Sequence, residues 1–81
     1  LLIDLREKSE IEQLPSLDYS INVPYSNLYN YLKIENKLLS KNKIIFYCAV
    51  GERSALAIQV CQSYKLKNVF HLVGGIKGIN K

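Results

Sequence analysis

Apolar residues along this chain fall in short blocks separated by polar or glycine and proline punctuation. Leu1–Leu5 is apolar except for Asp4 and gives way to polar Arg6-Glu7-Lys8, the pattern of a buried strand. Residues 9 to 19 are mixed. Ser9 followed by Glu12 has the spacing of a capping box for a short helix, which Pro15 would end. Ser20–Val23 precedes Pro24 and reads as extended, because a residue before proline is pushed away from helix. Residues 26 to 39 carry Leu28, Tyr31, Leu32, Leu38 and Leu39 at partial helical spacing, with Ser26 or Asn27 as N-cap. Residues 40 to 43 form a turn.

Ile44-Ile45-Phe46-Tyr47 is the strongest strand signal. Continuous β-branched and aromatic runs suit a central parallel strand buried on both faces. A loop over 48–53 follows, then an Ala-, Leu-, Ile- and Val-containing helix over 54–64. A turn at 65–68 leads to a strand over 69–73, which Gly74-Gly75 break. Strand alternating with helix predicts one α/β domain over 1–81, a small open and mainly parallel sheet flanked by helices. The chain opens directly on a strand and closes on a glycine-rich stretch, so we expect a piece of a longer protein, trimmed at both ends.

Composition narrows the functional classes. Residues 1–35 hold three basic and six acidic side chains, while residues 36–81 hold eight basic and one acidic. The +7 half would steer an anionic molecule or an acidic protein partner; a solvated lysine-rich surface is the plainer reading. There is no long basic run with interleaved aromatics, so no nucleic-acid partner is expected. No stretch has the length or apolarity of a membrane span, and no signal peptide is visible. Cys48 and Cys61 form no C-x-x-C pair and His71 stands apart from them, so neither a zinc site nor another resident cofactor is expected. Reduced thiols, in cytoplasm or an organellar stroma or matrix, fit this cysteine usage.

Ligands of open α/β sheets bind beyond the carboxyl ends of strands. Cys48 falls there, directly after the central strand. The backbone N–H groups of Ala49, Val50, Gly51, Glu52, Arg53 and Ser54 would curl around its sulfur, because Gly51 permits unusual dihedrals. The positive end of the following helix and the Arg53 charge would favour thiolate over thiol, making a partly exposed Cys48 a nucleophile. An inert core cysteine is the competing reading, and it is the better one for Cys61, whose helical neighbours are apolar. Cysteine phosphatases use a similar loop, C-x-x-x-x-x-R. Here only four residues separate Cys48 from Arg53. The shorter ring suits a persulfide better than a tetrahedral phosphate.

Four segments, in order, resemble the rhodanese-like sulfurtransferase family. Leu2-Ile3-Asp4-Leu5-Arg6-Glu7 is similar to the family's opening D-V-R-E segment, and Ile21-Asn22-Val23-Pro24 to its I-N-I-P. Cys48 to Ser54 is similar to its C-x-x-G-x-R-S loop, and Asn68 to Ile76 to N-V-x-x-L-x-G-G-I. The resemblance implies a rhodanese-like fold with Cys48 as the sulfur-accepting nucleophile. Arg53 and the loop residues Ala49, Val50, Gly51, Glu52 and Ser54 would hold the anionic sulfur or its donor. Asp4 and Arg6 would pair structurally beneath the loop, and Gly74-Gly75 would make the turn after the last strand. The implied donor is thiosulfate or the persulfide of a cysteine desulfurase. The implied acceptor is a ubiquitin-like sulfur-carrier protein serving molybdopterin, thiamine or tRNA thiolation, with this chain as the rhodanese domain of an adenylyltransferase. A non-catalytic docking module, or a phosphatase or arsenate reductase, are the alternatives. The sequence departs from the family at Ala49, where Arg is common, at Glu52, at 15–20, where G-H-I-P-G-A is replaced, and at Ile79, where the family has Trp. Ala49 and Glu52 both weaken the expected attraction for thiosulfate.

Overall fold

The computed structural model describes residues 1–79; Asn80 and Lys81, the end of the expected domain, lie outside the described residues. Four strands form one parallel sheet in the order β2-β1-β3-β4. They are β1 (Leu2–Asp4), β2 (Ser20–Asn22), β3 (Ile44–Tyr47) and β4 (Val69–His71). Helix α1 (Lys8–Gln13) links β1 to β2, α2 (Leu28–Ser40) links β2 to β3, and α3 (Glu52–Ser63) links β3 to β4. A 3₁₀ turn over Tyr25–Asn27 leads into α2, and a short helix α4 (Gly75–Ile79) follows β4. The expected open α/β sheet is therefore present and all its pairings are parallel.

The apolar pattern explains the layering. Ile3 pairs in register with Phe46, and both, with Ile44, are fully buried. They join Leu28, Leu32 and Leu39 from α2 and Ala57, Val60 and Cys61 from α3 in one core. Burying side chains of this size stabilises by roughly 1.5–3 kcal/mol each, which a chain this short requires. Among the described residues no helix is long and apolar enough to cross a membrane.

Local differences from the sequence reading have physical causes. The N-cap of α1 is Glu7, not Ser9: the Glu7 amide donates to the Glu10 carboxylate at 2.8 Å, and Ser9 lies within the helix. Pro15 follows the helix end as expected. Asn27 occupies the N-cap of α2 without a side-chain cap bond, while the Ser26 hydroxyl donates to the Glu7 carboxylate. Helix α3 starts at Glu52 rather than Ser54, because Gly51 takes φ +104° and caps it. Strand β4 ends at His71, and Gly74-Gly75 do more than break it: Gly75 begins α4.

Candidate active site

The strand order turns in opposite directions from β1, to β2 on one side and β3 on the other. The crevice at such a switch point is where open α/β sheets bind ligands. The carboxyl ends of β1 and β3 meet there at Asp4 and Tyr47, which pair in register, and Cys48 comes next.

Cys48 is held from both sides. The Gly51 amide donates to its Sγ at 3.1 Å, and the Ser54 Oγ lies at 3.7 Å. From beneath, α4 takes up the loop's carbonyls: the Ile76 amide donates to Cys48 O at 2.9 Å and the Lys77 amide to Ala49 O at 3.1 Å. The amides of Gly51, Arg53 and Ser54 bond the sulfur. Burial pushes the thiol up, but the amides of Ser54, Gly51 and Arg53 and the Ser54 hydroxyl outweigh it and hold Cys48 below its ordinary value. Cys61 shows the effect of burial alone, which pushes its thiol up to about 11. Cys48 is the candidate nucleophile and Cys61 a core residue.

The expected partial exposure of Cys48 is corrected by the structure: only 1% of the residue is open to solvent. A donor therefore reaches the sulfur only when its surroundings yield. Of the other candidate residues, Ala49 is buried, Val50 is exposed, Gly51 is half-buried, Glu52 is exposed and Ser54 is fully buried. Glu52 and Arg53 lie in the first turn of α3 rather than in a loop.

Arg53 does not point a free charge at the sulfur. Its Nη1 and Nη2 donate to the two Glu10 oxygens at 2.7 and 2.6 Å, a bidentate pair. That bond is the main reason the Glu10 carboxyl is lowered to about 2, so the pair stays charged throughout the physiological range. Glu10 is a site residue that sequence reasoning missed. Nothing local marks it, because it and Arg53 are 43 positions apart. Beside them lies a pocket of about 180 Å³ lined by Arg6, Glu10, Gln13, Leu14, Ala49 and Lys77.

Asp4 and Arg6 pair as expected. Arg6 Nε and Nη2 donate to the Asp4 carboxylate at 3.1 and 2.9 Å, and Nη1 donates to Leu14 O at 2.7 Å. Both side chains are buried, and Ser16 Oγ adds a bond to Asp4 at 2.7 Å. This network ties the end of β1 to the segment after α1. His71 is the second residue the sequence reading passed over: its Nδ1 lies 3.1 Å from Ser54 Oγ. The signal was its place at the end of β4, beside β3 in a parallel sheet and so at the same edge as Cys48. Among the described residues no three His, Cys, Asp or Glu side chains gather into a metal-binding group.

The sequence matches the rhodanese-like domain family over residues 1–81. No curated protein matches the chain. Solved structures with the same fold include three that bear on the reading. One, from Rhodopseudomonas palustris, is a protein of unknown function described as a possible tyrosine phosphatase: 29% identity, TM-score 0.89, covering 99% of this chain and 64% of that one. A rhodanese-related protein from Thermoplasma volcanium has 35% identity and a TM-score of 0.80, covering 95% of this chain and 72% of that one. A human single-domain sulfurtransferase has 22% identity and a TM-score of 0.79, covering 99% of this chain and 80% of that one.

Proposed function

The chain belongs to the rhodanese-like domain family, and from that premise we propose that it is a sulfurtransferase carrying sulfane sulfur as a persulfide on Cys48. One observation carries the reading: a thiol kept below its ordinary value by the Gly51, Arg53 and Ser54 amides, at the turn of an open sheet. In the first step the Cys48 thiolate attacks the sulfane sulfur of a donor. A new S–S bond forms, the donor's own bond to that sulfur breaks, and the donor leaves with the electron pair. In the second step an acceptor thiolate attacks the outer sulfur, its bond to Cys48 breaks, and Cys48 leaves as a thiolate into the same amides. With an activated carboxyl group the outer sulfur displaces the activating group to give an acyl disulfide, from which an added thiol reductant releases Cys48. The loop acts in both steps by stabilising negative charge on sulfur without a proton.

The partners we propose are protein-borne: a persulfide donor such as a cysteine desulfurase, and a sulfur-carrier protein as acceptor. Glu10 neutralises Arg53, Ala49 supplies no charge, and Glu52 adds a negative one, so thiosulfate is weakly attracted. The excess of basic residues in 36–81 suits an acidic carrier. Freeing Arg53 therefore has a predictable effect. Glu10→Gln is expected to raise the thiosulfate reaction rate about tenfold, the low end of what local charge does to anion encounter, with the gain shrinking as salt rises. Initial rates of sulfite release across a salt series measure it, and a rate equal to the parent's would count against the role given to the pair.

Intact mass tests the reading itself. The folded protein is incubated with thiosulfate, or with a cysteine desulfurase and cysteine, beside a Cys48→Ser control. Gain of one sulfur, removed by dithiothreitol and absent from Cys48→Ser, is expected, and faster from the desulfurase. No sulfur from either donor would move the assignment to a docking module. A second reading, phosphate-ester hydrolysis, rests on the Rhodopseudomonas neighbour alone; turnover of an aryl phosphate by the same sample would favour it.

A further inference from the structure

We propose that His71 is a positioning residue for Cys48, acting through the Ser54 hydroxyl as the acceptor of the thiol proton. Three elements converge to make the line: Cys48 follows β3, Ser54 lies in the first turn of α3, and His71 ends β4. Cys48 Sγ to Ser54 Oγ is 3.7 Å, and Ser54 Oγ to His71 Nδ1 is 3.1 Å. Ser54 is fully buried, so its hydroxyl exchanges no bonds with bulk water; besides these two partners it reaches Gly51 O at 3.2 Å. His71 is half-buried, an intermediate between the closed sulfur and solvent.

The sulfur needs such an outlet. At 1% exposure, water has little access to take its proton. The proton passes from Sγ to Ser54 Oγ while the Ser54 hydroxyl proton passes to Nδ1. The S–H bond breaks, an N–H bond forms, serine is unchanged, and the products are thiolate and imidazolium with no change in net charge. Neutral His71 accepts in its Nε2–H tautomer. Once charged, it donates to Ser54, whose hydroxyl then turns to the thiolate.

On the elements packed against β4, the other titratable groups are hydrogen-bonded, paired, exposed or held in the core. On β3, the register partner of His71 is Phe46, and the Tyr47 hydroxyl accepts from the Leu17 amide and bonds Ser20. On α3, Arg53 is paired with Glu10, Glu52 is exposed, and Cys61 lies in the core. On α4, Lys77 lines the pocket beside Glu10. Nothing among them replaces His71 as a base for Ser54.

The inference rests on the reading of Cys48 as the working thiolate, and two readouts separate their failures. Alkylation of Cys48 by iodoacetamide, located by peptide mass, is followed from about pH 5 to about pH 10, across the imidazole and thiol ranges. His71→Gln keeps a hydrogen-bonding group and loses the charge. Its midpoint is expected to rise by about half to one unit, slowing alkylation at pH 7 by roughly threefold to tenfold, with the alkaline plateau unchanged. Ser54→Ala is expected to shift the midpoint as well, and His71→Gln added to it to cause no further shift. Superimposable profiles overturn the proposal. So does a lowered plateau with the midpoint in place, the mark of a structural role, or a His71 effect that persists without the Ser54 hydroxyl. Persulfide loading by mass is read on the same samples. A shifted midpoint in a protein that accepts no sulfur leaves the relay standing and removes the sulfur-transfer reading, while loading with unshifted profiles does the reverse.

Discussion

Gly75→Ala is expected to destabilise the protein by roughly 2–5 kcal/mol and to strip Cys48 of its reactivity. Gly75 has φ +65°, which costs any other L-residue about 1–2 kcal/mol. A Cβ there would also fall inside the contact distance of the Ala49 and Cys48 carbonyls, which are backbone and cannot step aside. Overpacking of that kind adds about 1–3 kcal/mol. Those are the carbonyls that accept from the Ile76 and Lys77 amides. Pushing them away releases the ring from α4 and turns its amides off the sulfur. A domain of this length has only about 4–12 kcal/mol in hand, so the loss is large. Urea unfolding gives the stability, and the pH profile of iodoacetamide reaction gives the site. Gly78→Ala is the control: it has no positive φ and its Cβ would meet only Val73 O, at 4.0 Å, so it should lie within about 1 kcal/mol of the parent. A Gly75→Ala protein as stable and as reactive as that control would sink the claim that α4 sets the ring.

Why α4 was unreadable follows from its composition. Gly75-Ile76-Lys77-Gly78-Ile79 has little helix propensity, and its bonds go to a loop more than twenty positions earlier. What was legible was local. The Ile44–Tyr47 run is apolar throughout and became β3 with the bounds read from it. Pro15 ended α1, and the Cys48–Gly51 turn fell at a strand end, as its residue types require. Ser54, read as the first residue of its helix, is the third. Here it sits inside the first turn, and its hydroxyl serves Gly51 O, the sulfur and His71. Glu10–Arg53 and His71–Ser54 come together only through the parallel pairing of the strands, which periodicity does not encode. The Asp4–Arg6 pair, by contrast, was expected from the family resemblance, and it is present.

That pair carries the second large effect. Asp4→Asn is expected to destabilise by about 3–5 kcal/mol, because it leaves the buried Arg6 guanidinium without its counter-charge. Arg6 is 2% exposed and bound to Leu14 O, so it cannot swing out to water without breaking the end of α1. In an Arg6→Met background the buried Asp4 carboxylate is itself the charge left without a partner, so the same change there should cost little or stabilise. The difference between the two costs is the coupling, and urea unfolding of the four proteins measures it. Equal costs in both backgrounds would show that the pair contributes packing and not charge. The pH dependence has a definite sign. Burial raises the Asp4 carboxyl, but its bonds from Arg6 and Ser16 outweigh that and hold it below its ordinary 3.8. The unfolded chain therefore binds this proton more readily than the folded one. The stability that Asp4 contributes is complete above its unfolded value and is lost as pH falls below it. Acid unfolding of Asp4→Asn should lack that part of the loss, so the parent and variant stability curves converge toward low pH.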